Sequence, residues 1–428
     1  MQLPGVRLNM GKLRYLDLFA GAGGLSEGFM RAGFNPVAHV EMDTAACYTL
    51  KTRLAYKWLL DNDKDIIYDS YLSGEITRDE FYKNIPESLL DTVLNYEITW
   101  DNIEEIFHTI DNSLHGNKID LIVGGPPCQA YSLIGRARDE NGMLGDKRNY
   151  LYILYAEFLK RYKPKYFVFE NVTGLLSAKD TDEQLHFTKM RNLFSQCGYK
   201  TEYKVLNAAD YGVLQNRKRI ILIGKYGDEE GFYPLIAEQK RKYTVSEIFK
   251  DLPQLQAGTG NARPQKTLDY QGKYLYEAGI KTKNNQEVTF HNARPNTDQD
   301  KEIYQIVVKL WNEEHKRMSY IDLPERLQSQ NNKESFLDRF KVVDSAAECS
   351  QTVVAHIAKD GHYFIHPDIT QNRSLTPREV ARLQTFPDDY YFESVSGKPS
   401  RTTAYRQIGN AVPVCLAEKI AHALKDNW

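Results

Sequence analysis

The sequence predicts an α/β protein: a doubly wound parallel sheet with helices on both faces, and a smaller, mostly β and loop region set into its second half. Three observations predict this. Short β-rich runs alternate with helical patterns through the first half, a glycine-rich turn follows the first run, and the alternation fades near residue 226 and returns near 373. Strand, helix, strand repetition argues a parallel sheet, because each crossover must pass over one face and cover it.

The runs are residues 13–19 (LRYLDLF), 37–42 (VAHVEM), 119–123 (IDLIV), 166–170 (YFVFE) and 219–224 (RIILIG), with helical stretches such as 150–161 between them. In such sheets ligands gather at the carboxyl ends of the strands. Residues 52–100 insert a polar, tyrosine- and acid-rich helical stretch that reads as surface elaboration carrying no chemistry. From 226 to 372 come loops, Gln/Asn-rich pieces (NNQE, LQSQNNKES), a basic cluster at 239–242 (QKRK) and strand-like alternation at 352–367. This shift in composition marks a second domain. The expected division is 1–225, then 226–372, then a return to the first domain over 373–428.

At 428 residues and 42% hydrophobic content the chain can bury a large core. No stretch approaches the roughly 18 apolar residues of a membrane span, and the N-terminus lacks the regions of a secretion signal, so a cytoplasmic, nucleoid-associated location is expected. The five cysteines, Cys47, Cys128, Cys197, Cys349 and Cys415, are scattered and never spaced C-x-x-C, which suggests neither a disulfide framework nor a zinc site. A net charge of −2 is no signature of phosphate binding, although an enzyme needs only a basic cleft on an acidic body.

Residues 17–24 (DLFAGAGG) close the first strand and open a helix, so their glycines allow a tight turn and close approach of a nucleotide-like ligand. As a dinucleotide fingerprint the run fails, because Ser26 stands where a third glycine belongs. Glu41 ends the second strand about 20 residues on, where an acid can accept hydrogen bonds from both ribose hydroxyls. The plainer alternative is a strand-to-helix turn with a solvated acid. Residues 124–132 (GGPPCQAYS) place Cys128 at a strand end on a proline-stiffened loop, a poor context for a packed cysteine and a good one for a nucleophile. Glu170 ends the next strand and brings a carboxyl group to the same rim, giving a nucleophile and a proton donor.

Six motifs in order carry a resemblance: Phe19-x-Gly-x-Gly, Pro126-Pro-Cys-Gln, Glu170-Asn-Val, Gln215-Asn-Arg-Lys-Arg, the run 373–387 (RSLTPREVARLQTFP) and Gln407-Ile-Gly-Asn-Ala-Val. Together the chain resembles the DNA cytosine-5 methyltransferase family everywhere outside about 52–100 and 226–350. The resemblance implies a Rossmann-like, class I methyltransferase sheet with a target-recognition domain. It implies S-adenosyl-L-methionine as cofactor, bound by Phe19, Ala20, Gly21, Gly23, Gly24, Leu25, Glu41, Met42, Asn102, Ile103, Pro127, Asn410 and Val412. Asn102 would contact the adenine amino group where the family commonly has an acid.

Cys128 would attack C6 of the cytosine and Glu170 would hold and protonate N3. Arg217 and Arg219 would grip the base carbonyl or a phosphate, with Arg219 nearer the chemistry. Gln129, Ser132, Asn171, Val172 and Gln215 would bind substrate. The base must leave the stack to reach the pocket, at a cost of a few kcal/mol. Region 226–372 would then read duplex DNA, with Arg263, Lys266, Arg294 and Lys359 as candidate contacts. His356, His362 and His366 lack acid or cysteine partners in sequence, so no metal is expected.

The expected activity is sequence-specific methylation of cytosine C5 in duplex DNA by a monomer, in a restriction–modification or phage-defence setting with a cognate restriction or defence protein. Two rivals stand beside it: a tRNA-methylating branch of the same family, and a catalytically silent DNA-binding regulator.

Overall fold

The computed structural model describes residues 13–127, 147–282 and 286–428. Seven strands form one sheet: β1 (Arg14–Leu18), β2 (Asn35–Glu41), β3 (Val93–Asn95), β4 (Leu121–Gly124), β5 (Tyr166–Val172), β6 (Tyr199–Asn207) and β7 (Lys218–Tyr226), in the order β3-β2-β1-β4-β5-β7-β6. The first five are parallel. The last strand departs from the all-parallel expectation: β7 runs antiparallel to both β5 and β6. It enters between them from a short connection after β6, too brief for a crossover that would restore direction.

Side-chain alternation builds two cores, one on each face. Tyr15, Leu121, Val123, Tyr166, Val168, Ile221 and Ile223 face one core, which takes Leu25 and Phe29 of helix Gly24–Arg31 and Val414, Leu416 and Ile420 of helix Val414–Asp426. Leu16, Leu18, Ile122, Phe167, Phe169, Ile220 and Leu222 face the other, beneath helices Ile103–Leu114, Leu151–Tyr162 and His186–Gln196. Helix Val414–Asp426 thus packs on the same face of the sheet as helix Gly24–Arg31. At Gly28 an added Cβ would stand 2.5 Å from Ala417, so these two helices meet almost backbone to backbone.

Chain order reverses direction across the sheet between β1 and β4, which opens a crevice at their carboxyl ends. The strand register sets Leu18 beside Gly124, and Gly124 beside Phe169, so the loops after β1, β4 and β5 converge there.

Residues 52–100 do more than decorate the surface. They supply β3, an edge of the sheet, and bury Tyr68, Tyr71 and Phe81 against the main core. Between 226 and 372 the strands are only two residues each: β8 (Gly260–Asn261) pairs with β11 (His291–Asn292) and β9 (Gln265–Lys266) with β10 (Glu287–Val288). The region expected to be β and loop also holds a helix, Asp298–Glu314, capped by Thr297 and Asp300 and packed into a small core of its own through Ile303, Tyr304, Val307 and Val308.

Three buried arginines bind this region to the segment that follows. Arg382 pairs with Asp251 at 2.6 Å and Asp388 at 2.7 Å, Arg378 donates to the carbonyls of Thr289, Pro387 and Tyr390, and Arg373, paired with Glu379 at 2.7 Å, donates to Leu255 O at 3.2 Å. Lys281 joins the same carboxylate of Asp251 at 2.8 Å. Removing one partner of such a pair strands a buried charge at about 3–5 kcal/mol, which makes this seam a rigid one. Among the described residues no helix is long and apolar enough to cross a membrane.

Candidate active site

The loop after β1 turns through three left-handed residues, Phe19 (φ 57°), Gly21 (φ 54°) and Gly23 (φ 80°). Glycine is required at the last of these and at its neighbour. A Cβ at Gly23 would come within 2.7 Å of Leu50 and 2.8 Å of the Tyr390 hydroxyl, and one at Gly24 within 2.3 Å of the Val412 carbonyl. Phe19 is not a glycine, so its φ stores strain of order 1–3 kcal/mol that the surroundings must hold. Glu41 does part of that work: Gly21 N–H donates to its Oε2 and Asp43 N–H to its Oε1, both at 2.7 Å. Burial pushes the Glu41 carboxyl up despite these bonds.

Asp17, missed in the sequence reading, stands under the same loop. It is 1% exposed, and neither carboxylate oxygen has a hydrogen-bond partner among the described residues. Burial first, and the nearby Glu41 second, hold its carboxyl well above the usual range. A buried acid without a partner fits a site that receives a cationic ligand. Met42, which follows Glu41 at the end of β2, is 56% exposed and Trp100 is 61% exposed, unusual for large apolar residues. Ala20, Leu25, Ile103 and Val412 are buried around the loop, and Asn410 is exposed. Asn102 closes its own turn: its carbonyl accepts from Thr99 N–H at 2.9 Å and its amide donates to Glu97 O at 2.7 Å.

At the neighbouring strand ends, Glu170 Oε1 lies 2.8 Å from Arg219 Nε, each side chain 13% exposed. The pair arises because β7 runs antiparallel beside β5 and sets Arg219 opposite Val172, two residues past Glu170. Asn171 is buried and donates to the Pro126 carbonyl at 3.2 Å, tying the end of β5 to the loop after β4. Gly125 leaves room for Glu170, whose Oε2 stands 2.6 Å from where a Cβ would be. Pro127 ends the described part of that loop; Cys128, Gln129 and Ser132 lie outside the described residues. The four described cysteines are poor nucleophiles. Burial pushes the Cys47 thiol up to about 12 and raises those of Cys197, Cys349 and Cys415.

The C-5 cytosine-specific DNA methylase family matches residues 13–79 and 87–426. The chain belongs to that family. It is 40% identical to the type II methyltransferase M.Bpa9945I of Bacillus paralicheniformis, across 96% of this chain and 98% of that one. It is 31% identical to M.DdeI of Desulfomicrobium norvegicum across 96% of this chain and 88% of that one. The fold matches that of a prophage-encoded E. coli chain described as a DNA modification methyltransferase, with a TM-score of 0.61 at 24% identity, covering 97% of this chain and 99% of that one.

Not every residue singled out in this methylase reaches the crevice. Gln215 and Arg217 turn inward. The Gln215 amide donates to Leu383 O and Gln384 Oε1, both at 3.0 Å, while its carbonyl accepts from Val353 N–H. Arg217 donates to Val353 O at 2.6 Å and Gly409 O at 3.4 Å. Both precede β7 and are held by residues 353, 383–384 and 409. Only Arg219, inside the strand, faces Glu170.

In region 226–372, Arg263 donates to Leu72 O at 3.0 Å and Arg294 to the carbonyls of Ile357, Ala358 and Lys359, which spends both on backbone. Lys266 and Lys359 are exposed. His362 bonds the Tyr304 hydroxyl at 2.9 Å and His366 lies 3.8 Å from Glu379, so these imidazoles serve packing. Among the described residues no group of three His, Cys, Asp or Glu is placed to hold a metal.

Proposed function

We propose that this methylase transfers the methyl group of S-adenosylmethionine to C5 of a cytosine rotated out of a specific duplex DNA sequence, as the modification partner of a type II restriction system. The single observation that carries the reading is the Glu170–Arg219 pair at the rim of β5 and β7, held at 2.8 Å beside Gly125, just past the end of β4. The names of its type II relatives support the biological setting.

Cys128 adds to C6 as a thiolate and its sulfur forms a covalent bond to the base, which makes C5 nucleophilic. Glu170 protonates and holds N3, so the negative charge that would otherwise build on the ring is neutralised there. Arg219, bonded to one carboxylate oxygen, orients Glu170 so that the other oxygen faces the base. Asn171 holds Pro126, two residues before Cys128 in the sequence, against the same strand. S-adenosylmethionine, when bound, supplies an electrophilic methyl group. Asp17 fits its positive charge, Glu41 its ribose, and Met42, which directly follows Glu41, its adenine. After transfer the C5 proton passes to solvent, the C5–H electron pair expels the thiolate from C6, N3 returns its proton to Glu170, and the methylated base is released.

Residues 226–372 carry sequence choice and the flanks 1–225 and 373–428 carry chemistry. The exposed Lys266 and Lys359 are the better candidates for DNA contact, because Arg263 and Arg294 already hold backbone carbonyls. Expression in a host without cytosine methylation, followed by genome-wide mapping of methylated cytosines, tests the reading. A single recurring site is expected, lost with Glu170→Gln, which should cut turnover on the order of 10²-fold or more. Methylation confined to tRNA, or none despite tight cofactor binding, would overturn it.

A further inference from the structure

We propose that Tyr390 is a positioning residue for the cofactor, acting through the carbonyl of Ala22; the inference rests on the S-adenosylmethionine reading of the loop after β1. Ala22 stands in the middle of that loop. Its carbonyl accepts a hydrogen bond of 2.6 Å from the Tyr390 hydroxyl, which comes from 368 residues away. The loop has few ties of its own: besides the Glu41 bond at Gly21, it closes on Gly23 N–H to Ala20 O and on Ala20 N–H to Val40 O. With three residues at positive φ it would sample other shapes unless held from outside.

Tyr390 is built to hold it. The residue is buried, its backbone carbonyl accepts from Arg378 Nη2 at 2.8 Å, and Phe386 and Phe392 pack on its ring at 4.8 and 5.4 Å between centroids. The Arg53 guanidinium lies over the ring at 4.9 Å from its centroid. That guanidinium is itself fixed by Asp389 at 2.8 Å and by Glu27 at 2.8 Å, and Glu27 belongs to the helix that the loop opens. The 52–100 stretch therefore acquires a task. Its Tyr68 hydroxyl donates to Asp389 O at 2.8 Å, and with Arg53 it steadies the segment that carries Tyr390.

The glycine pattern agrees. A Cβ at Gly23 would press on the Tyr390 hydroxyl at 2.8 Å, so that glycine serves the tyrosine contact as well as the turn. Tyr390 reaches no reacting atom; it fixes the shape of the loop beneath the ligand.

Tyr390→Phe keeps the ring and removes the hydroxyl, leaving a buried carbonyl unsatisfied only when the loop holds its present shape. Binding of S-adenosylhomocysteine by isothermal titration calorimetry should weaken about 3- to 10-fold, the range of one buried hydrogen bond. The rise should fall on the KM for S-adenosylmethionine and leave the affinity for duplex DNA within about twofold. Amide exchange at residues 19–24 should quicken. A purely structural tyrosine would lower the melting temperature and leave the cofactor affinity of the folded protein unchanged, which overturns the proposal. Should Tyr390→Phe fail to fold, Asp389→Asn at the half-buried end of the brace should weaken cofactor binding about twofold or more, and unchanged binding would again overturn it. If the wild type binds no S-adenosylhomocysteine, the cofactor reading falls and takes this inference with it.

Discussion

Gly125→Ala offers a sharp perturbation, because it adds one methyl group beside the acid assigned to N3. The added Cβ would stand 2.6 Å from Glu170 Oε2 and 3.2 Å from the Glu170 carbonyl, whereas ordinary contact begins near 3.4 Å. The carboxylate is the movable end of a side chain, so it yields by about 0.8 Å while the strands stay in place. That shift also drags on the 2.8 Å bond to Arg219. A displacement approaching 1 Å at a group that must meet a reacting atom costs up to about 10²-fold in rate. We expect single-turnover methyl transfer to a duplex oligonucleotide to fall 10- to 100-fold, with a melting temperature within a few degrees of wild type. A variant that folds normally and transfers within twofold of wild type would refute the placement of Glu170 in the chemistry.

Arg217 and Arg219 should separate cleanly. Arg217→Met leaves the Val353 carbonyl unsatisfied and should cost about 1–3 kcal/mol in urea denaturation with little change in kcat, whereas Arg219→Met should cut kcat at least about 10-fold with small loss of stability; the reverse pattern would contradict the assignment. Acid should destabilise the protein through His39 and His366, whose imidazoles burial holds down at about 4. Because the unfolded chain takes up those protons near 6.5, their contribution is complete above that pH and is lost as pH falls toward 4, about 2 kcal/mol each by pH 5. Asp17 and Glu41, raised by burial, act with the opposite sign, so the readout is the difference: His39→Gln should flatten the fall in stability between pH 7 and 5, and an unchanged slope would rule it out.

The β-rich runs of the first half were legible because buried strands read as nearly continuous apolar runs, as in β4 and in the first four residues of β5. β6 was not: it is an edge strand whose Lys200, Thr201, Glu202 and Lys204 break the apolar run. β3 is three residues long and sits at the end of a helical stretch, too short for any period to show. Helix Asp298–Glu314 had a readable signal, Ile303, Tyr304, Val307 and Val308 at helical spacing behind a Thr297–Asp300 cap, obscured by the polar residues around it. Glu170 and Glu41 were identified by their places at strand ends, and Arg219 by the family resemblance of its motif. Gln215 and Arg217 belong to the same motif, and nothing in a motif says which side chains turn inward. Asp17 could have been found, since an acid inside an apolar buried strand demands a reason. Tyr390 and Arg53 could not, because each acts on a partner hundreds of residues away.

The most direct test of the central claim is covalent trapping at Cys128. Duplex DNA carrying 5-fluorocytosine at the target base takes the methyl group but has no C5 proton to release, so the bond between sulfur and C6 persists. Incubation with S-adenosylmethionine should give a denaturant-resistant protein–DNA adduct whose linkage maps to Cys128. Cys128→Ala should give none while still binding S-adenosylhomocysteine. An adduct that survives this substitution, or that maps to Cys47, Cys197, Cys349 or Cys415, would contradict the account.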